Sequence, residues 1–292
     1  MFDKIKKTLA AFDLKNNEFR TFLMSATYSK HQYPWFLKRY GWTEGSFSEI
    51  MTKSNRVLDA GAGIGQHLAW FAMFFNNTMY VATDASVAPP ATEVTSLHNV
   101  KFILSDLREL PFQDDCFDLC YCDRVLMHLQ NPLLALGELV RVTRHEGTVA
   151  FSVYRKKGLI RECVDEVLRR KLSAMDTCEA IEVCRDLAKL GRSIQNSSGK
   201  VDVPSSLREA GLFDSQSCDI KEFIYWDLLK AFWNDDYGID GSTMINLEYY
   251  FAPISHTYTK ADVLCMCDEH KLKIDYFFEE KNALSTRARV IK

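Results

Sequence analysis

Residues 57–66, VLDAGAGIGQ, place one carboxylate and three glycines in a pattern that can hold a cofactor. Asp59 lies near the end of a predicted apolar strand, and Gly61, Gly63 and Gly65 follow it at alternate positions. A strand that runs into a glycine-rich turn lets the backbone approach a ligand that side chains would otherwise keep away. The pattern alone leaves three ligands open: a dinucleotide, a nucleoside triphosphate, or an adenosyl group without phosphates.

The residues around the glycines argue against two of these ligands. A triphosphate-binding P-loop needs Lys and then Ser or Thr after its last glycine, and neither follows here. A dinucleotide fold needs the spacing G-x-G-x-x-G. In this chain the third glycine comes one residue early, and Gln66 stands where the last glycine should be. An adenosyl group without phosphates is therefore the favoured ligand.

Further acids follow the later predicted strands. Asp84 closes the strand VATD, 19 residues after Gly65. The third strand ends in Ser105-Asp106-Leu107, and the fourth ends in Cys122-Asp123-Arg124. An acid at the end of a parallel strand can simply cap the next helix. A cofactor site is therefore indicated by Asp59, Asp84 and Asp106 occurring in order around the glycines, and not by any one of them.

With these spacings the chain resembles the class I S-adenosylmethionine-dependent methyltransferases, over residues 55–155 and 256–292. The resemblance implies S-adenosyl-L-methionine as the cofactor, with Asp59 facing its ammonium group, Asp84 its ribose hydroxyls and Asp106 its adenine amine. It also implies that the segment after the fourth strand borders the methionine part and the acceptor. The implied cofactor site comprises Asp59, Gly61, Gly63, Gly65, Gln66, Asp84, Ala85, Ser105, Asp106, Leu107, Asp123 and Arg124.

Three histidines are candidates for a catalytic base. Methyl transfer to a hydroxyl or an ammonium group requires removal of a proton, and histidine titrates near the pH where this is needed. His128 is the first candidate because it follows the fourth strand on the acceptor side. His256 is the second and His31 the third. For each of them, a hydrogen bond to a backbone group is the alternative role.

Composition and motifs favour a small-molecule acceptor. The net charge is −3 and no long basic run occurs, which argues against a nucleic-acid partner. The residues after the fourth strand also lack the Asn/Asp-Pro-Pro-aromatic motif of methyltransferases that act on adenine or glutamine. No apolar run approaches membrane-spanning length, so no membrane partner is expected. The oligomeric state is left open.

Two functions remain compatible with the sequence. The first is a small-molecule O- or N-methyltransferase, in which an acceptor pocket is enclosed beside the cofactor. The second is a non-catalytic S-adenosylmethionine-binding module that regulates a partner, in which that pocket is filled or absent. A nicotinamide-dependent oxidoreductase is disfavoured because Gln66 replaces the glycine that such enzymes need.

The nine cysteines indicate reduced thiols and no metal site. Their number is odd, and no CxxC pair occurs. Cys120 and Cys122, like Cys265 and Cys267, lie in apolar runs, where buried thiols are a better explanation than zinc ligands. Reduced cysteines and the lack of a secretory apolar segment at the start are typical of a cytoplasmic protein.

The elements that would position these residues alternate in type from residue 56 onward. Short apolar runs followed by helical patterns predict a Rossmann-like parallel sheet with helices on both faces. After residue 256, a helix with Thr259 and Asp262 at capping spacing precedes two alternating runs, which predict an antiparallel hairpin at the sheet edge. The predicted strands are residues 56–60, 78–84, 100–106, 116–123, 147–154, 273–281 and 284–292, and a helix is predicted at 67–75.

A helical pattern interrupts the α/β rhythm, with helices predicted at 176–191 and 219–233. Ligands of such sheets bind beyond the carboxyl ends of the strands, where the fifth strand also ends. We therefore expect the interruption to cover the methyl group as a lid. The predicted regions are an N-terminal helical cap at 1–50, the S-adenosylmethionine-binding α/β core at 51–157, the helical lid at 158–250 and completion of the core by a helix and hairpin at 251–292.

Overall fold

A seven-stranded sheet with the order β3-β2-β1-β4-β5-β9-β8 organises the computed structural model, which describes residues 2–292. The first five strands are parallel, and β9 lies antiparallel between β5 and β8. The predicted α/β class, parallel sheet and antiparallel hairpin are thus confirmed. The strands are β1 Arg56–Ala60, β2 Met79–Asp84, β3 Val100–Leu104, β4 Phe117–Asp123, β5 Thr143–Tyr154, β6 Lys200–Asp202, β7 Ser217–Asp219, β8 Leu272–Glu279 and β9 Ala283–Val290.

Several helices begin where the sequence supplies a side-chain cap. Asn131 accepts from Leu134 N–H ahead of Pro132, and Thr259 forms the predicted capping box with Asp262. The helices are α1 Phe2–Glu18, α2 Arg20–Leu23, α3 Ala26–Arg39, α4 Glu44–Lys53, α5 Leu68–Phe71, α6 Thr92–Thr95, α7 Pro132–Val142, α8 Leu159–Leu172, α9 Thr177–Gln195, α10 Ser205–Glu209, α11 Ile220–Phe223, α12 Gly238–Tyr250 and α13 Lys260–Glu269.

The chain forms two compact units. The α/β unit consists of residues 23–155 and 254–292 and contains the large sheet. The helical unit consists of residues 2–22 and 156–253, and it also contains a small sheet of β6 and β7 that the sequence pattern did not indicate. The roles of cap and lid, and the boundaries drawn for them, stay predictions.

The point where the strand order reverses lies between β1 and β4 in the α/β unit. These strands are parallel neighbours, and β2 lies on the other side of β1. The buried core under the sheet includes Leu58 of β1, Cys120 and Cys122 of β4, and Leu136 of α7. Ligands of open α/β sheets bind at such a reversal, beyond the carboxyl ends of the strands. This is where the glycine turn after β1 lies.

The helix predicted at 67–75 is shorter in the structure, where α5 covers only Leu68–Phe71. The run continues through turns to Asn76-Asn77, which are turn-forming residues, and Phe74 is left exposed. The helix predicted to end at Gly191 continues instead to Gln195. Gly191 is needed for close packing, since a Cβ there would overlap the carbonyl oxygen of Ala231.

The helix predicted at 219–233 is also broken. It begins as α11, continues through one π-helical turn at Ile224–Leu228, and becomes extended at Leu229. Tertiary hydrogen bonds replace the helical ones beyond this point. Tyr250 Oη accepts from Lys230 N–H at 3.2 Å, and Asn246 Oδ1 accepts from Phe232 N–H at 2.9 Å. These partners lie too far along the chain for a local pattern to reveal them.

Candidate active site

The glycine turn after β1 has a backbone conformation that suits glycine. Gly61, Gly63 and Gly65 have φ angles of +85°, +56° and +90°. Such angles are strained for residues that carry a Cβ. A Cβ on Gly61 would overlap the Val125 side chain, and one on Gly65 would lie 2.7 Å from Phe102 Cζ. The turn therefore exposes backbone on its open side and packs tightly on the other.

Asp84, at the end of β2, holds this turn in place. Its Oδ2 accepts from Gly63 N–H at 2.7 Å, and its Oδ1 accepts from Ser86 N–H at 2.7 Å. Each carboxylate oxygen can accept more than one hydrogen bond. Asp84 can therefore shape the turn and still offer lone pairs to a ligand, so that capping and ligand binding are compatible at this residue.

Two buried oxygen atoms beside the turn have no hydrogen-bond partner. They are Oδ2 of Asp59, which lies in β1, and Oε1 of Gln66. Buried acceptors without donors are costly, and in native proteins they often mark a ligand site. Burial raises the pKa of Asp59 well above its usual range, Tyr121 opposes the shift, and the charges of Asp123 and Asp84 add to it. A cationic donor placed beside Asp59 would satisfy its oxygen and favour the ionised form of the carboxyl group.

The residues after β3 contribute one further open group. Ser105 Oγ is buried without a hydrogen-bond partner, and Leu107 is packed in the core cluster. Asp106 instead binds the side chain and the N–H of Arg108, and the side-chain bond is the main reason why its pKa is lowered. Ala85, between Asp84 and Ser86, is only partly buried. Thus Ser105 offers an unused polar group, whereas Asp106 is held by an arginine.

Asp123, at the end of β4, lies in a buried ionic network. Its Oδ2 is 3.2 Å from Arg39 Nη2, 3.4 Å from Arg124 Nε and 3.6 Å from His67 Nε2. Its Oδ1 accepts from Tyr40 Oη at 2.8 Å. Burial alone would raise the pKa of Asp123, but the three cationic neighbours and Tyr40 hold it at about 2. Asp123 is therefore ionised at neutral pH and committed to protein groups.

This network contains buried residues that the sequence analysis did not single out. His67 lies between the two buried acids, with Nδ1 3.9 Å from Asp59 Oδ2 and Nε2 3.6 Å from Asp123 Oδ2. Its place directly after Gln66 was a usable signal. Arg39 and Tyr40 gave no such signal, because they end an aromatic helix 83 residues before Asp123 in the sequence.

His128 is buried at the end of a 3₁₀ turn after β4. Its Nδ1 lies 2.8 Å from the carbonyl oxygen of Ile254, and its ring packs edge-on against Tyr154. A carbonyl oxygen only accepts, so Nδ1 carries the hydrogen and Nε2 of the neutral ring carries the lone pair. This tautomer is the one that a base acting through Nε2 requires.

The other two histidines are placed differently. His256 is exposed, and its Nε2 lies 3.0 Å from the carbonyl oxygen of Leu129. Its backbone N–H also donates to Met127 at 2.9 Å, so the segment around it is bound along the 3₁₀ turn. His31 is partly buried in α3, next to Gln32, whose Oε1 lies 3.5 Å from Arg124 Nη2. Of the three, His128 is the most enclosed.

Among residues 2–292, no cluster of His, Cys, Asp and Glu is suited to hold a metal ion. Within the same range, the nine cysteines are all unbonded thiols. A search of the described helices also found none with the length and apolarity needed to cross a membrane.

Comparison with known proteins gives a match over the same elements. Residues 58–151 match the family described as "Methyltransferase domain". An uncharacterized methyltransferase of Schizosaccharomyces pombe is 31% identical over 127 residues, which are 40% of this chain and 45% of that protein. A malonyl-[acyl-carrier protein] O-methyltransferase of Marinomonas sp. is 32% identical over 105 residues, 35% of this chain and 39% of that protein. The alignments thus span less than half the length of these relatives.

A solved structure of a SAM-dependent methyltransferase from Aquifex aeolicus aligns with 97% of this chain and 98% of its own, at a TM-score of 0.44 and 12% identity. The family match runs from the middle of β1 to the middle of β5 and contains the glycine turn, Asp84 and the end of β4. Residues 58–151 of the α/β unit are therefore similar to the methyltransferase-domain family, over the part of the chain that resembles the class I S-adenosylmethionine-dependent methyltransferases.

Proposed function

We propose that the protein is an S-adenosylmethionine-dependent methyltransferase that moves a methyl group to an oxygen or nitrogen atom of a small molecule. The observation that carries this proposal is the pair of buried, unpartnered oxygens of Asp59 and Gln66 beside a glycine turn. An amino-acid ammonium group supplies the donors that these oxygens lack. Nicotinamide dinucleotides have no such group and need the third glycine at the position of Gln66.

Different residues of the α/β unit bind different parts of the cofactor in this proposal. Asp59 and Gln66 accept from the ammonium group, Asp84 accepts from the ribose hydroxyls, and Ser105 faces the adenine. The three glycines admit the cofactor because no Cβ occupies the open side of the turn. When bound, the cofactor supplies a methyl group on a positively charged sulfur, already activated for displacement.

His128 is the proposed base. Its Nδ1–H is held by the carbonyl oxygen of Ile254, so Nε2 carries the lone pair that would take a proton from an acceptor O–H or N–H. The carbonyl then stabilises the resulting imidazolium, because its oxygen accepts from a more acidic N–H. Such proton transfer is typically worth about 10²–10⁴-fold in rate.

The names of the relatives favour oxygen as the methylated atom, since several of them are malonyl-[acyl-carrier protein] O-methyltransferases. A carboxylate acceptor carries no proton to remove, whereas a hydroxyl or an ammonium acceptor does. The need for His128 therefore reports on the chemical type of the acceptor.

Calorimetric titration with S-adenosylhomocysteine and with NAD tests the cofactor. We expect saturable binding of S-adenosylhomocysteine only. If the buried carboxyl of Asp59 receives the ammonium group, Asp59→Asn should weaken S-adenosylhomocysteine binding, and Asp114→Asn, at an exposed acid, should leave it unchanged. Heat from NAD alone would refute the proposal.

Transfer of labelled methyl from S-adenosylmethionine to a metabolite panel tests the chemistry. For hydroxyl or amine acceptors, His128→Ala should lower turnover by about 10²–10⁴-fold at nearly unchanged S-adenosylhomocysteine affinity. His256→Ala, which also removes a ring bonded to a carbonyl, is the matched control and should retain most turnover. Binding without transfer to any acceptor would instead identify a regulatory module.

A further inference from the structure

Four cationic side chains surround one aromatic ring in the helical unit. The ring belongs to Tyr249 of α12. Lys230 Nζ lies 3.9 Å from its centroid, while Lys157 Nζ lies 5.7 Å away. The guanidinium carbons of Arg161 and Arg169 lie 5.9 and 5.6 Å from the same point. We call these four residues and Tyr249 the cation cluster.

Only part of this positive charge is balanced within the protein. Arg161 Nε donates to Asp165 Oδ1 at 2.7 Å. The carboxylate of Asp165 also accepts from the hydroxyls of Tyr249 at 2.6 Å and Tyr250 at 3.0 Å. Asp165 is thus engaged by an arginine and two tyrosines, which together occupy three of its roughly four acceptor sites.

Lys230 and Arg169 lack such a partner. Among the described residues, no carboxylate oxygen forms an ion pair with either side chain, and Arg169 Nε is buried without an acceptor. The nearby acid Glu248 pairs with Lys15 at 3.4 Å. Two cations with donors to spare therefore adjoin the ring of Tyr249.

The lowered pKa of Lys230 agrees with this excess of cations. The pKa of Lys230 is lowered to about 7, first by removal of water and then by the charges of Lys157 and Arg161, which Glu248 and Asp165 oppose only in part. Like charges held together out of water are costly unless a counter-charge is present. Attraction to one aromatic ring compensates for only a fraction of this cost.

We propose that the cation cluster binds the anionic group, a carboxylate or a phosphate, of a small molecule. Arg169 and Lys230 supply the unused donors, and Lys157 and Arg161 add positive potential around them. An arginine and a lysine together are suited to oxygen anions, since one provides a planar set of donors and the other a mobile charge. The anionic group belongs either to the methyl acceptor or to a separate metabolite that regulates the enzyme. In the first case the site rests on the proposed methyltransferase function.

The test uses the full chain with inorganic phosphate and succinate as probes, at constant ionic strength. We expect saturable binding by calorimetry. Lys230→Met and Arg169→Gln should each weaken it by at least about tenfold, because each removes a charge-assisted bond. The matched controls are the exposed neighbours Lys221→Met and Arg170→Gln, which should bind as the wild type does. Circular dichroism establishes that each variant is folded.

Two outcomes would overturn the proposal. One is a wild-type protein that binds neither probe, and the other is unchanged binding in both folded site variants. If Lys230→Met does not fold, Arg169→Gln decides alone, since Arg169 is only partly buried. S-adenosylhomocysteine binding is measured in parallel. Failure there with intact phosphate binding refutes the methyltransferase proposal and leaves the anion site standing.

Label transfer then distinguishes the two sources of the anion. If the site holds the acceptor, anionic members of the metabolite panel are methylated, and phosphate competes with them. If it holds a regulator, neutral acceptors are methylated, and phosphate changes their turnover without competing for their binding. In both cases Lys230→Met removes the effect of phosphate, while Lys221→Met keeps it.

Discussion

The two units each bury a carboxylate among cations, but the charges are arranged in opposite ways. In the α/β unit, Asp123 is bound by Arg39, Arg124, His67 and Tyr40. Each cation of that network lies within 3.6 Å of the carboxylate, although Arg39 Nε and Nη2 and Asp123 Oδ2 are buried without a hydrogen-bond partner. In the helical unit the carboxylate of Asp165 is also bound by protein groups, but Lys230 and Arg169 have no carboxylate partner among the described residues.

The difference separates a positioning device from a binding site. Charges paired with a buried carboxylate hold the end of β4, and the protein loses stability if one partner of a pair is removed. An open cluster is destabilised by its own charges and is relieved by a ligand. Substitutions in the two units should therefore change stability in opposite directions.

The largest effect is expected from Asp123→Asn. This change leaves the guanidinium of Arg39, which is 1% exposed, buried without its counter-charge. Loss of one partner of a buried pair costs about 3–5 kcal/mol of the free energy of unfolding. Urea denaturation measures the loss, and Glu49→Gln, in the exposed pair with Lys53, is the control that should change little. Equal stability of the two variants would show that the ion pair of Arg39 and Asp123 does not stabilise the fold.

The same variant predicts a pH dependence. The pKa of Asp123 is depressed to about 2 in the folded protein, against about 3.9 in an unfolded chain. Its contribution to stability is therefore fully present above pH ~4 and is lost as the pH falls through about 2. The stability difference between wild type and Asp123→Asn should shrink over that range, and a constant difference would contradict the assignment.

A smaller effect is expected from Gly61→Ala compared with Gly211→Ala. Both glycines have positive φ, +85° and +71°. A Cβ at Gly61 would overlap Val125, whereas a Cβ at Gly211 in the helical unit would meet nothing within 4 Å. Backbone strain is common to both, so Gly61→Ala should lose about 1–3 kcal/mol more from overpacking. Similar thermal unfolding of the two variants would mean that the glycine turn is not tightly packed.

The last prediction concerns Lys230→Met, which should change how the free energy of unfolding varies with pH. The pKa of Lys230 is about 7 in the folded protein, against about 10.4 in an unfolded chain, so the unfolded chain holds the extra proton between these values. Wild-type stability should therefore rise with pH in that interval, by less than about 1.4 kcal/mol per unit because Lys230 is only partly buried. Lys230→Met should remove this rise and Lys221→Met should retain it. Denaturation in phosphate-free buffer measures both slopes.

The sequence predicted the α/β elements because their signals are local. Apolar runs marked the first five strands, and the spacing of Thr259 and Asp262 marked the start of α13. The predicted glycine turn has the positive φ angles that only glycine accepts readily. Each of these features depends on a few consecutive residues, so one sequence is enough to find them.

The helical unit was predicted less well for the same reason. The π-helical turn at Ile224–Leu228 and the extended chain after it depend on Asn246 and Tyr250, which lie on another helix. The short strands β6 and β7 pair across a helix, which hid them within a helical pattern. Long-range hydrogen bonds overrode local propensity in this region.

By itself, the sequence determined which functional groups follow each strand: a glycine turn after β1, an acid at the end of β2, and an acid and a histidine at and after the end of β4. Tertiary structure alone decided which of these groups remain available to a ligand. It committed Asp123 to Arg39 and Tyr40, left oxygens of Asp59 and Gln66 without donors, and gathered four cations around Tyr249. The physical reason is that spacing fixes where a side chain leaves the backbone, whereas its partners and its burial, and hence its charge, are set by residues distant in the chain.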